Sequence, residues 1–180
     1  MIDNKRPLRR VVTGTDALGR SCVLHDGLAP NVIQKDKGPT FTEFWTAETL
    51  PALISGTEDG SDRPLSIGPP DEGVHLRIVQ SPPEAAQAAN ADKGHEDFAA
   101  MNRTGISEHR TDGPHWNMHR TATVDYGFVL MGKRELILED GAVNLGPGDV
   151  VVQLGNWHSW RNLGDSGGAS MYVMMGGEYG

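Results

Sequence analysis

Apolar and polar residues alternate most cleanly along Val74-His75-Leu76-Arg77-Ile78-Val79. A period of two places Val74, Leu76 and Ile78 on one face and His75, Arg77 and Val79 on the other. From residue 114 onward the same period recurs in short runs: 118–125, 128–131, 135–139, 142–145, 150–152, 158–162 and 169–175. Turn residues fill the gaps at Gly132-Lys133, Asp140-Gly141, 146–149, Gly155-Asn156 and 165–168, and Asp140-Gly141 is the strongest hairpin signal. Short strands at near-regular spacing, with no long helix between them, predict an all-β antiparallel barrel or jelly roll. One helix is expected over 84–91, opening near Pro83, and the polar stretch 92–111 reads as a loop with one helical turn.

The first 70 residues have a different texture. Short apolar fragments, Val11-Val12 and Phe41-Thr42-Glu43-Phe44-Trp45 among them, are broken by turn residues. We therefore divide the chain into an N-terminal arm, 1–73, packed on a β-barrel domain, 74–180. Phe41, Phe44 and Trp45 stand in an otherwise polar region that one small barrel would not fully cover, which predicts a homodimer built through the arm.

Composition narrows the function. The 180 residues suit one domain, and 23 Gly with 11 Pro agree with many turns. A net charge of -8 without a long basic block argues against a nucleic-acid partner. The lone Cys22 excludes an internal disulfide and a multi-Cys zinc site. No apolar run reaches the length of a membrane span and no secretory leader is evident, so a cytoplasmic protein is expected.

Three histidines matter by position: His115, His119 and His158. On the strand 118–125, His119, Thr121, Thr123 and Asp125 share a face, an odd choice for pure core packing. The four-residue spacing of His115 and His119 is not a helical zinc motif, because the local pattern is strand-like. Trp160 shares its strand face with His158 and Asn162, either as a substrate wall or as core. Arg77, if buried, needs an anion: a substrate carboxylate or an acid of the same chain.

These residues resemble the two motifs of the cupin superfamily. In the first, Gly113 opens the motif, His119 holds the first His place, Thr121 stands where a second His belongs, Asp125 takes the Glu place and Gly132 closes it. In the second, Gly148-Asp149 leads to Gln153 in the Pro place, then Gly155, His158 and Asn162 at the family spacing. The resemblance covers about residues 113–175. It implies a jelly roll holding one divalent metal (Fe, Mn, Ni or Zn) through His119, Asp125 and His158, with His115 as a candidate fourth ligand. Arg77, Thr121, Thr123 and Trp160 become substrate-binding candidates. The bland alternatives stand beside these: His119 and His158 as satisfied interior histidines, Asp125 ordering a strand end, His115 on a surface loop, and the threonines as strand fillers.

The function expected is a small-molecule enzyme, with metal-assisted lyase, dehydratase, decarboxylase or isomerase chemistry on a carbonyl- or carboxylate-bearing substrate. A non-haem iron dioxygenase and a non-catalytic ligand-binding barrel are the alternatives, since the fold does not choose among them.

Overall fold

The strand read at Val74 is the centre of the protein. The computed structural model describes residues 7–35, 38–54, 58–88, 96, 98–102 and 105–180. Four strands precede it: β1 (Arg9–Thr15), β2 (Ser21–Leu28), β3 (Asn31–Gln34) and β4 (Thr40–Ala47). The central strand is β5 (Val74–Ser81), followed by the short helix α1 (Glu84–Ala88). Then come β6 (Ser107–Arg110), β7 (Met118–Thr121), β8 (Thr123–Met131), β9 (Lys133–Ile137) and β10 (Ala142–Leu145). The last three are β11 (Val150–Leu154), β12 (Ser159–Leu163) and β13 (Gly168–Gly176).

Six strands form the large sheet in the order β11-β8-β13-β5-β4-β3, and every pairing is antiparallel. Facing it are a three-stranded sheet, β10-β9-β12, and the pair β6-β7. Reciprocal backbone hydrogen bonds between His119 and His158, 2.8 and 2.9 Å, stitch these two into one layer. The result is the antiparallel jelly roll that the alternation predicts.

Three details depart from the sequence reading. Residues 31–47, placed within the arm, supply β3 and β4 to the large sheet, because Thr40, Phe41, Thr42 and Glu43 are all buried against it. Ser107–Arg110, read as loop, is a strand that owes its order to antiparallel partners on β7 rather than to any apolar pattern of its own. The run 118–125 is interrupted at Ala122, where the chain leaves β7 for the large sheet. The tail of the expected helix, 89–91, lies outside the described residues.

Two of the motif glycines at turns, Gly132 and Gly155, show the conformational requirement most clearly. Gly132 (φ 80°) turns β8 into β9, and a Cβ there would lie 2.9 Å from the Gly167 carbonyl oxygen. Gly155 (φ 65°) sits under Tyr179, whose hydroxyl donates to the Gly155 carbonyl at 2.8 Å.

The interior is unusually polar for a barrel. His75, Arg77 and Asp125 point inward from the large sheet, and Arg134 points inward from the opposite one. Buried polar side chains are costly without partners, so their arrangement marks a site rather than a packed core.

Candidate functional site

Parity places the site residues. On β7 and β8, Thr121, Thr123 and Asp125 are buried, in the alternating register read from the sequence. A cavity of about 210 Å³ opens between the two layers. His119, His158, Asp125, Arg77, Thr121 and Trp160 all line it, and Thr123 is buried beside it without lining it. Apolar walls come from Phe41, Phe98 and Trp116.

The two histidines form a pair, with ring centroids 4.4 Å apart. His119 Nδ1 lies 2.9 Å from the carbonyl oxygen of Asn117, and His158 Nδ1 2.9 Å from that of Asn156. A carbonyl can only accept, so each Nδ1 carries the proton and each Nε2 keeps a lone pair. Burial lowers His119 to about 4 and, with the neighbouring imidazole, His158 to about 3. Both rings are therefore neutral at ordinary pH.

Asp125 stands apart from this pair. Burial raises its carboxyl to about 6, against the opposing pull of the Thr123 hydroxyl and the Arg77 charge. Its Oδ1 is buried without a hydrogen-bond partner. Asp125 lies on β8 of the large sheet, whereas His119 lies on β7 in the facing layer.

Arg77 lines the cavity with its charge already balanced. Its Nε lies 2.9 Å from Glu43, and its other nitrogens donate to the carbonyls of Ile67 (3.0 Å) and Ser66 (2.5 Å). Of the two readings of Arg77, the acid of the same chain supplies the anion. Thr121 reaches the Ser107 hydroxyl at 3.1 Å, which engages it with β6.

His115 is neither a surface loop residue nor part of the cavity lining. It is buried, with Nδ1 accepting from the Ser159 hydroxyl at 2.7 Å and Nε2 donating to Glu84 at 3.2 Å. This chain ties α1 to β12. Ser159 is fully buried, so the arrangement positions elements and presents no accessible nucleophile.

Two cavity residues escape the motif reading. Gln153, singled out there only as standing in the Pro place, is 3% exposed, and neither end of its amide has a hydrogen-bond partner. Arg134, also 3% exposed, shares the inward face of β9 with Leu136. The signal was legible: an Arg in phase with a core Leu. Starting that strand at Glu135 hid it.

No family model matches the chain. Segments are similar to curated fungal proteins. The phomopsin biosynthesis cluster protein C′ of Diaporthe leptostromiformis is 52% identical over 46 residues, 25% of this chain and 24% of that protein. The cupin-domain-containing oxidoreductase virC of Hypocrea virens is 39% identical over 62 residues, 32% of each chain. The matched stretches thus span a quarter to a third of these relatives' lengths. Such a segment in a protein described as cupin-domain-containing joins the jelly roll and the two motifs already described. The chain has a jelly-roll fold and shares a segment and two motifs with cupin-domain proteins.

Among solved structures, the chain is similar to the Schizosaccharomyces pombe Cnp3 cupin domain (TM-score 0.44, 11% identity, 93% of this chain and 87% of that one). It is also similar to KdgF from Halomonas sp. (TM-score 0.43, 11% identity, 82% of this chain and 87% of that one).

The family's metal finds a partial home here. The paired Nε2 lone pairs of His119 and His158 suit a divalent ion. The third donor does not join them. Among the described residues no three His, Cys, Asp or Glu side chains are grouped to hold a metal. The expected set of His119, Asp125 and His158 shares a cavity without forming one coordination sphere, because the chain changes sheets at Ala122. His115 is excluded as a fourth ligand by its bonds to Ser159 and Glu84.

Proposed function

We propose that this protein is a small-molecule enzyme that moves protons on a carbonyl-bearing substrate inside the barrel cavity. The observation that supports the reading is the pairing of opposed groups around one apolar-walled space. Two neutral imidazoles offer Nε2 lone pairs, and an unpartnered carboxyl oxygen of Asp125 lies on the other sheet. In this reading, Nε2 of His119 or His158 takes a proton from the carbon beside the carbonyl. Asp125 Oδ1 exchanges a proton with the substrate oxygen or leaving group. Trp160 and Phe41 exclude water from the reacting carbon. Isomerase, dehydratase and eliminating-lyase outcomes follow from that one proton abstraction, and in a decarboxylase the same groups would instead protonate the carbanion left as CO2 departs.

The test is deuterium incorporation from D2O at the carbon next to the carbonyl, followed by proton NMR over a panel of small oxo-acids and ketones. Wild type exchanges, and Asp125→Asn and His158→Ala each lose about 10²-fold or more in rate. Ligands that bind without any exchange in wild type would favour the ligand-binding barrel instead.

An oxidoreductase reading is favoured by one observation, the side-by-side imidazole lone pairs, and by the word oxidoreductase in the names of cupin-domain relatives. It calls for a divalent metal. Protein loaded with one equivalent of Ni²⁺ should lose the ion in His158→Ala and keep it in Asp125→Asn, as measured by elemental analysis. Loss in both variants would restore Asp125 as a ligand.

Self-association is also proposed, through a different surface from the arm. Phe41 is buried and lines the cavity. Tyr126 and Leu130 on β8 and Val150, Val152 and Leu154 on β11 form one group of exposed apolar residues, beside others such as Val11, Val23, Leu53 and Ile54 in the N-terminal half. None of the outward positions of these two strands carries a charge, so a second copy of the same face is the natural cover.

A further inference from the structure

We propose that Arg134 is the anion anchor of the cavity, and that the substrate carries a carboxylate held by this guanidinium. The proposal rests on the reading of the cavity as a small-molecule site and names the class of molecule it takes.

Arg134 lies on β9 opposite Asn162 of β12 and lines the cavity. It is 3% exposed, and its Nε and Nη1 are buried without hydrogen-bond partners. No carboxylate pairs with it among the described residues. The groups whose charge it feels are the Tyr172 phenol first and Glu84 second, and Glu84 Oε1 already accepts from His115 (3.2 Å) and Trp116 Nε1 (3.4 Å). The guanidinium carbon sits 5.5 Å from the Trp160 ring centroid, which holds the fork in place while leaving the N–H groups free. A guanidinium keeps its charge at any ordinary pH, so an unpaired one in the interior is a standing cost to the empty protein.

The contrast with Arg77 sharpens the point. Both arginines line the same cavity and both are 3% exposed. Arg77 has Glu43 at 2.9 Å and two backbone carbonyls, whereas Arg134 has none of these. An interior cation left without its anion implies that the anion arrives with the ligand. The planar fork matches a carboxylate, with two parallel N–H···O bonds. Trp160 and Tyr172 stand beside it, in edge contact at 6.0 Å, so the carboxylate joins a flat or apolar body. The unpartnered amide of Gln153 neighbours Asp125 on the facing sheet and serves the reacting end.

The experiment uses the full chain with benzoate and its neutral isostere benzamide, read by thermal shift and isothermal titration. Benzoate should raise the wild-type midpoint and bind at least 10-fold more tightly than benzamide. Arg134→Met should be more stable than wild type without ligand, by about 3 °C, because an unpaired charge has been removed. It should also lose the benzoate response while keeping the benzamide response. Arg134→Lys keeps the charge without the fork and should weaken benzoate at least threefold, which decides the matter if the Met variant does not fold. Equal binding of the two probes to wild type overturns the anchor and leaves the cavity reading intact. So does benzoate binding that survives Arg134→Met, or a Met variant that folds with lower ligand-free stability. Failure of both probes to bind wild type overturns the anchor and the cavity reading together.

Discussion

Arg10 shows how one side chain ties the N-terminal hairpin to the barrel. It is buried, and its Nη1 donates to the Phe44 carbonyl (3.1 Å), the Ser61 hydroxyl (2.8 Å) and Asp59 (2.6 Å). The Arg10 guanidinium and the Ser61 N–H hold the Asp59 carboxyl far below the usual carboxylate range. A depressed folded-state value stabilises the protein fully above the unfolded value near ~3.9 and loses that contribution as pH falls toward the folded one. Asp59→Asn should therefore cost about 2 kcal/mol at neutral pH. In urea titrations the gap from wild type should stay constant between pH 5 and 8 and shrink below about pH 4. Arg10 stands beside Arg9 in the sequence, with no acid within five positions to suggest this tie. Its partner is 49 positions away, a separation that no local pattern reveals.

At the scale of elements, the turn before the second-motif histidine carries the site's geometry. Gly155 adopts φ 65°, and a Cβ there would approach Tyr179 Cε1 to 2.8 Å. The Tyr179 ring is in turn covered by Arg120 at 5.2 Å, and Arg120 and Arg110 both stack on Trp157, at 5.1 and 4.4 Å. Gly155→Ala should cost about 1–2 kcal/mol from the left-handed backbone alone. Differential scanning calorimetry would read this as a midpoint several degrees lower. Because His158 follows three residues on, the same variant should weaken benzoate binding. The motif spacing made Gly155 and His158 legible in the sequence, while the stacked arginines were not. The arginines come from β6 and β7 and their rings from the turn between β11 and β12 and from the C-terminal tail, which only the fold brings together.

For the whole molecule, the outward face of β8 and β11 is an apolar stretch of surface without a charge. Val150, Val152 and Leu154 are 54, 55 and 71% exposed on the edge strand of the large sheet. If two copies pair there, Val152→Asp with Leu154→Asp should yield a monomer by light scattering at micromolar concentration. Phe44→Ala and Trp45→Ala should leave the association state unchanged. A wild-type monomer would count against pairing altogether. The sequence by itself determined where the strands after residue 117 fall along the chain, the inward parity of His119, Thr121 and Asp125, and the glycine turns. These follow from a period of two and from φ angles that few residues tolerate, both local properties. Tertiary structure alone decided that Asp125 stands apart from the histidine pair and that Arg77 is neutralised while Arg134 is not. It also decided that His115 faces Ser159 and Glu84. Each of these turns on which strand lies across the barrel from which. That is fixed by long-range pairing between sheets and leaves no trace in the spacing of residues along one strand.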